Sequence, residues 1–350
     1  MKKQCFAFFA LLIGLLNLAS ATVDPTDQRC AIAARGVTID YNSLEVCLSN
    51  QGVLMEVHGA VPMSSMFVVS FRNPTNFFQS VHLSLLGANA QTREFVKTLR
   101  RHDVILVKGR FENVETPQRH IRAQSMQLIS RSAGSTPSEE YSYQAIPAVF
   151  QTMDKFIGKV HAIYAEGRVL VVEYKDLVVP VMVDRQFLHL TKDLFRGDKI
   201  EIQYVIQEEP IRPIHLNLNP KIKEPLKVLN SVVENHGRYE IMTGKLVMFP
   251  KSPMVMFDVY AIDVDMGDGV MLPHTVLSFT DPDLFAALRK EFERVWNKHP
   301  LMVRNYRNKF VNEAITVTVE GFYNMIDPLQ ANPQLIIEKI QDVTIHGEEE

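Results

Sequence analysis

Cysteine is scarce, with three residues in a chain of 350, which excludes the disulfide-dense scaffolds of small secreted domains. Glycine and proline, at 16 and 18, fall far short of a collagenous or low-complexity composition. Charge of one sign is also missing: 37 basic against 40 acidic residues leave a net charge of −3 and a pI near 6.4, a balance that argues against general affinity for nucleic acid. The chain contains no H-E-x-x-H, no G-x-S-x-G, no P-loop and no G-x-G-x-x-G, so the motifs with a defined catalytic mechanism are absent. Its eleven histidines are scattered, and none pairs with another at metal-ligand spacing. Each therefore reads as a surface or hydrogen-bonded residue.

Long apolar runs are lacking too, except at the start. Met1-Lys2-Lys3 precedes an apolar run from Phe6 to Leu18 and then Ala19-Ser20-Ala21, the order of a secretory signal with cleavage before Thr22. The run is about 13 residues, short of the roughly 20 that span a bilayer. The expectation is a protein exported to a periplasm or secreted, with no transmembrane anchor. Cys5 leaves with the signal, so the remaining pair, Cys30 and Cys47, is expected to form a disulfide in an oxidising compartment, worth roughly 3 kcal/mol.

Past an N-terminal segment (22–49), one order of elements recurs over residues 50–130, 150–220 and 239–346. Each unit has three strand-like runs, a short amphipathic helix, a fourth alternating strand and a proline-marked connection to a last strand. The junction before the fourth strand is the most specific part: Leu99-Arg100-Arg101-His102-Asp103 leads into VILVKGRF, and Leu194-Phe195-Arg196-Gly197-Asp198 into KIEIQYVI. A looser version, Lys309-Phe310-Val311-Asn312-Glu313-Ala314, leads into ITVTVEGF. Period-two alternation marks half-buried strands. Five strands with a helix between the third and fourth resemble the OB-fold, a five-stranded Greek-key barrel. The fold class is thus mainly β with short helices (α+β), as three tandem small OB-like barrels. The linkers are 131–149, rich in Ser, Gly, Pro and charge, and 221–238, in which Leu226–Val233 has helical spacing. Residues 347–350 form an acidic tail.

Charge divides unevenly among the units. Residues 50–132 hold ten basic and five acidic side chains, whereas 239–346 hold ten and fourteen. The resemblance implies an open ligand face on each barrel. In the first unit Lys108, Arg110, Arg119 and Arg122 lie on the two late strands that frame it, with Arg100 and Arg101 at the preceding junction. This group suits a phosphate, carboxylate or sulfated sugar; the plain alternative is a solvated strand face that discourages edge-to-edge pairing. In the third unit, Asp263, Asp265 and Asp268 offer oxygens to a hard cation such as Ca2+, though Gly267-Asp268-Gly269 between alternating strands is also a strong hairpin-turn signal. The helix 282–297, with Asp281 as N-cap, turns Leu284, Phe285, Leu288, Phe292 and Trp296 to one side.

These observations point to a non-catalytic exported binding or scaffold protein. Its expected partner is an envelope protein or an anionic polysaccharide, with nucleic acid excluded and no cofactor. The alternative is a cation-dependent hydrolase using the Asp263/Asp265/Asp268 loop.

Overall fold

The computed structural model describes residues 32, 34–35, 38–61, 66–73, 79–112, 119–131, 146–164, 167–175, 177–207, 215–279, 281–306 and 309–346. The expected signal segment, Cys30, most of the first linker and the acidic tail lie outside them. Helix α1 (Tyr41–Asn50) is capped by Asp40, whose carboxylate accepts from the Asn42 and Ser43 amides, and packs Leu44, Cys47 and Leu48 into the first core. Cys47 is disulfide-bonded.

Alternation then builds the first barrel. Strand β1 (Val53–Val61) sends Val53, Met55 and Val57 inward to meet Val69 and Phe71 of β2 (Met66–Arg72) and Leu83 and Leu85 of β3 (Ser80–Gly87). Helix α2 (Ala90–Val96), opened by an Asn89/Thr92 capping box, leads to β4 (Val104–Phe111) and β5 (His120–Ser130). The strands close in the order β1-β2-β3-β5-β4, antiparallel except for the parallel β3–β5 pair.

The second unit repeats this ring with β6 (Lys155–Tyr164), β7 (Val169–Tyr174), β8 (Leu177–Met182), the short helix α3 (Leu188–Thr191), β9 (Lys199–Gln207) and β10 (His215–Leu218). Here β8 and β10 are the parallel pair, and β10–β9 and β9–β6 complete the circuit. An extra strand, β11 (Leu226–Asn230), pairs with β9. This segment carries helical spacing, but the open edge of β9 offers unpaired backbone groups and its pairing overrides the weak local preference. The third unit comprises β12 (Tyr239–Phe249), β13 (Val259–Asp265), β14 (Met271–Leu277), α4 (Pro282–Trp296), β15 (Val303–Tyr306), β16 (Lys309–Asn324), β17 (Gln334–Ile336) and β18 (Val343–His346). Its ring is β12-β13-β14-β17-β16, again with one parallel pair, β14–β17. The strand order and pairing expected of an OB-like barrel therefore occur three times. Asp281 caps α4 by accepting from the Asp283 and Leu284 amides, and Leu288, Phe292 and Trp296 are buried. Among the described residues no helix is long and apolar enough to cross a membrane.

The recurrent junction has one physical form in units 1 and 2. Buried Asp103 and Asp198 each reach back three residues, to the Arg100 amide at 2.8 Å and the Phe195 amide at 2.7 Å. The residue before each Asp is left-handed, His102 at φ 68° and Gly197 at φ 99°, and its amide donates to the first strand of the same barrel, at Val57 and Val160. The first strand bulges at that place, between Val57 and Gly59 and between Val160 and Ala162. The extra residues, His58 and His161, are thereby re-aimed outward from the barrel.

The barrels pack through their outer faces. Val68 of β2 meets Ala162, Tyr164, Val169, Val171 and Val178 of barrel 2, each such aliphatic contributing about 1.5–3 kcal/mol when fully buried. Leu54 and Val104 of barrel 1 enclose Met254, from the loop between β12 and β13, and Leu329, ahead of β17, enters the core of barrel 1. Asp198 joins barrel 2 to the third unit by accepting from Ser231 Oγ at 3.2 Å and the Val232 amide at 2.9 Å.

Burial pushes the Asp198 carboxyl up to about 6, against the opposing pull of its hydrogen bonds to Phe195, Val232 and Ser231. The folded protein then binds more protons than the unfolded chain between about pH 4 and pH 6, so this group makes the fold less stable as the pH rises through that window. Urea midpoints of the wild type and Asp198→Asn test this: the wild type should lose about 2–3 kcal/mol relative to the variant between those limits. A difference independent of pH would contradict it.

Candidate functional site

The outward positions of β1, β2 and β3 do not face solvent. Glu56, His58, Ser70, Arg72, Ser80 and His82 line a chamber of about 420 Å3, within the size range of small-ligand sites. Barrel 2 contributes Lys159, His161 and Glu173 from β6 and β7, and Arg196 from the junction before β9. Barrel 3 adds the β12–β13 loop, one face of α4, and Gln330 and Asn332.

Three imidazoles meet where barrels 1 and 2 touch. The His58 ring centroid is 4.4 Å from that of His82 and 5.6 Å from that of His161. His58 and His161 are the bulge residues of equivalent strands, and Arg101 and Arg196 stand at equivalent places in the two junctions. The His58 and His82 imidazoles are held well below their ordinary value, first by burial and then by neighbouring His82 or His161, Arg101 and Arg196; both rings are neutral at pH 7.

Guanidinium charge dominates the chamber. Arg72, Arg101, Arg196, Arg289, Lys159 and Lys309 face it, against Glu56, Glu173 and Asp258. Burial lowers Arg72 to about 10, still charged at neutral pH. Arg196 donates through Nε to the Ala331 carbonyl at 2.7 Å and through Nη1 to the His161 carbonyl, bonds that fix the side chain. Arg289 lies 4.8 Å from the Phe257 ring centroid. Glu56 is occupied by His102 Nδ1 at 2.7 Å, Ser252 Oγ at 2.6 Å and the Met254 amide at 3.3 Å.

A second cavity of about 790 Å3 shares Lys159, His161, Glu173 and Lys309 with the chamber. The wall between them is ionic. Lys309 Nζ meets Asp263 Oδ2 at 2.8 Å, and Lys159 Nζ lies 3.3 Å from Glu173 and 2.5 Å from the Met271 carbonyl. The Lys159 ammonium is shifted down by burial, and Glu173 is held below the carboxylate range, where Lys159 and His161 outweigh its burial.

Of the basic residues singled out in the first unit, only Arg101 lines the chamber, and Arg110 and Arg122 stand opposite each other across β4 and β5. Arg100 and Arg110 are exposed, Lys108 donates to the Asn50 carbonyl at 3.3 Å, Arg119 lies 5.0 Å from the Tyr41 ring centroid, and Arg122 pairs with Glu112. Of the acidic loop, Asp263 is the buried partner of Lys309, Asp265 accepts from the Gly267 amide at 2.8 Å, and Asp268 takes Lys199 Nζ of barrel 2 at 2.6 Å. The loop is a hairpin turn in which Gly267, Asp268 and Gly269 are all left-handed, and it docks barrel 3 on barrel 2. Among the described residues no three metal-ligating side chains gather.

The sequence reading missed His58, His82, His161 and Arg196. A signal was present: Val-His followed by a small residue occurs in the first strand of both units, at Val57-His58-Gly59 and Val160-His161-Ala162.

Among solved structures the chain is similar to a murine DNA-binding protein bound with double-stranded DNA, at 14% identity over 51% of this chain and 95% of that one, with a TM-score of 0.18. It is also similar to the wild-type single-stranded DNA binding protein from Thermus aquaticus, at 13% identity over 51% and 91%, TM-score 0.15. Drosophila Unr CSD456 matches at 11% identity over 86% and 99%, TM-score 0.16. No protein-family model and no curated protein matches the chain. Likenesses this low carry no function to the chain.

None of these matches supports the expected envelope-protein or anionic-polysaccharide partner, the exclusion of nucleic acid or the hydrolase alternative, and these readings are withdrawn; the three carboxylates of the hydrolase loop are engaged by Lys309, the Gly267 amide and Lys199. Barrels 2 and 3 cover the outer face of the early strands of barrel 1, whereas Arg110 on the late strands stays exposed and Arg122 is paired with Glu112.

The Lys309–Asp263 pair yields a stability test. Lys309→Met leaves a buried carboxylate without its cation and should cost about 3–5 kcal/mol in urea unfolding. Adding Asp263→Leu should recover most of that loss; equal losses in the single and double variants would contradict the pairing.

Proposed function

We propose that the protein is a binding protein for a small ligand bearing a phosphate- or carboxylate-type anion, held in the chamber between the three barrels. The observation that carries this reading is the excess of cationic over acidic side chains lining a cavity of about 420 Å3. Guanidinium groups present a planar fork of donors that matches an oxyanion. The aromatic wall formed by Phe257, Phe285 and Phe292 supports a ligand with an apolar portion beside its charged head. The order of charged, apolar and small residues over 1–21 supports export of this binding protein.

Thermal melts with inorganic phosphate, inorganic sulfate and a short single-stranded oligonucleotide test the reading. Either small anion should raise the Tm saturably, by the equivalent of about 2.7 kcal/mol at a hundred times its Kd. Arg101→Gln should weaken the response at least about tenfold, which corresponds to about 1.4 kcal/mol of a charge-assisted hydrogen bond. A rise that is linear in salt and unchanged in the variant is general salt exclusion and would overturn the proposal. So would oligonucleotide binding that is indifferent to Arg101.

A further inference from the structure

Resting on the anion-binding reading above, we infer that the chamber takes up its anion together with a proton, carried by the paired imidazoles of His58 and His82. The two rings are 4.4 Å apart between centroids, and His58 Nε2 and His82 Nδ1 are buried atoms with no hydrogen-bond partner among the described residues. An oxyanion brings acceptors alone, so each imidazole nitrogen turned toward it must carry a hydrogen. A neutral ring supplies one such hydrogen by its tautomer; a protonated ring also places a positive charge opposite the anion.

The surrounding charges determine when that proton is held. Arg72 faces the pair from β2, Arg101 and His102 from the junction before β4, and Arg196 from the junction before β9. These oppose a further positive charge. The carboxylates within reach are engaged elsewhere: Glu56, on the same strand as His58, with His102, Ser252 and the Met254 amide, and Glu173 with Lys159 and His161. Barrel 3 lines the chamber with uncharged Gln330 and Asn332 and with Arg289, Lys309 and Asp258, of which Lys309 is paired with Asp263 and Asp258 accepts from the Lys251 amide. Among the described residues the chamber's cations outnumber its carboxylates, and a bound anion adds the counter-charge that a protonated His58/His82 pair calls for. Ligand and proton stabilise each other, and the reciprocity is obligatory.

The sign follows from linkage. The free pair is neutral at pH 7, and a bound anion raises its affinity for a proton, so binding tightens as the pH falls. The limit is about tenfold in Kd per pH unit for one proton. Sulfate is the probe, because its own charge is constant near neutrality. Titration calorimetry of the wild type at about pH 6, 7 and 8, in buffers of differing ionisation enthalpy, counts the protons. The expected result is uptake approaching one proton per sulfate near neutrality and a Kd that falls with pH. The His58→Asn/His82→Asn variant should still bind sulfate, with a flat pH profile and no uptake; the wild-type proton count decides the matter even if that variant fails to fold. Sulfate binding without uptake and with a flat profile would overturn this inference and leave the anion-binding reading standing. No sulfate or phosphate binding at any pH would overturn both.

Discussion

A strand that must both close a barrel and present a chosen side chain to a neighbour cannot do so by alternation alone, because period two commits every residue to one face. An extra residue breaks the commitment. In barrels 1 and 2 that residue is a histidine, His58 or His161, and the turn that accepts the bulge is fixed by a buried carboxylate, Asp103 or Asp198. The same turn delivers Arg101 and Arg196 to the same place. Duplicating one device in two barrels set face to face concentrates imidazole and guanidinium groups at their contact, and the chamber follows from that arrangement.

The left-handed residue of the turn differs between the copies. Gly197 adopts φ 99° freely, and a Cβ there would meet Leu272 and Val232 at 3.2 Å. His102 accepts the strained conformation at φ 68° and uses its side chain to hold Glu56. Glu56 in turn fastens the β12–β13 loop through Ser252 and the Met254 amide. Barrel 1 thus spends backbone strain, of order 1–3 kcal/mol, at the point where barrel 3 is tied across the chamber.

Much of this architecture is legible in the sequence and the site is not. The strand order and intervening helices follow from alternation and the repeated junction. Asp281 as a cap and Gly267-Asp268-Gly269 as a turn follow from local chemistry that needs no tertiary partner. Leu226–Asn230 misleads because its conformation is decided by the edge of β9. The basic residues Lys108, Arg110, Arg119 and Arg122 show a different limit: strand alternation states on which face a charge lies, but not which neighbour engages it, as Glu112 does Arg122 and Tyr41 does Arg119. His58, His82, His161 and Arg196 are isolated in sequence, and their meeting is a property of how barrels dock. The repeated Val-His at the bulges and the equivalent arginines are the trace that docking left behind.

The proposed function requires that the chamber lined by the three barrels binds an anion. The most direct measurement is a crystal structure of the protein soaked in selenate, read by anomalous difference density. The account predicts one strong peak among His58, His82, Arg101 and Arg196, with the barrels packed around it. Peaks confined to the outer surface, at Arg100, Arg110 or Arg122, with the chamber free of anomalous density, would contradict it.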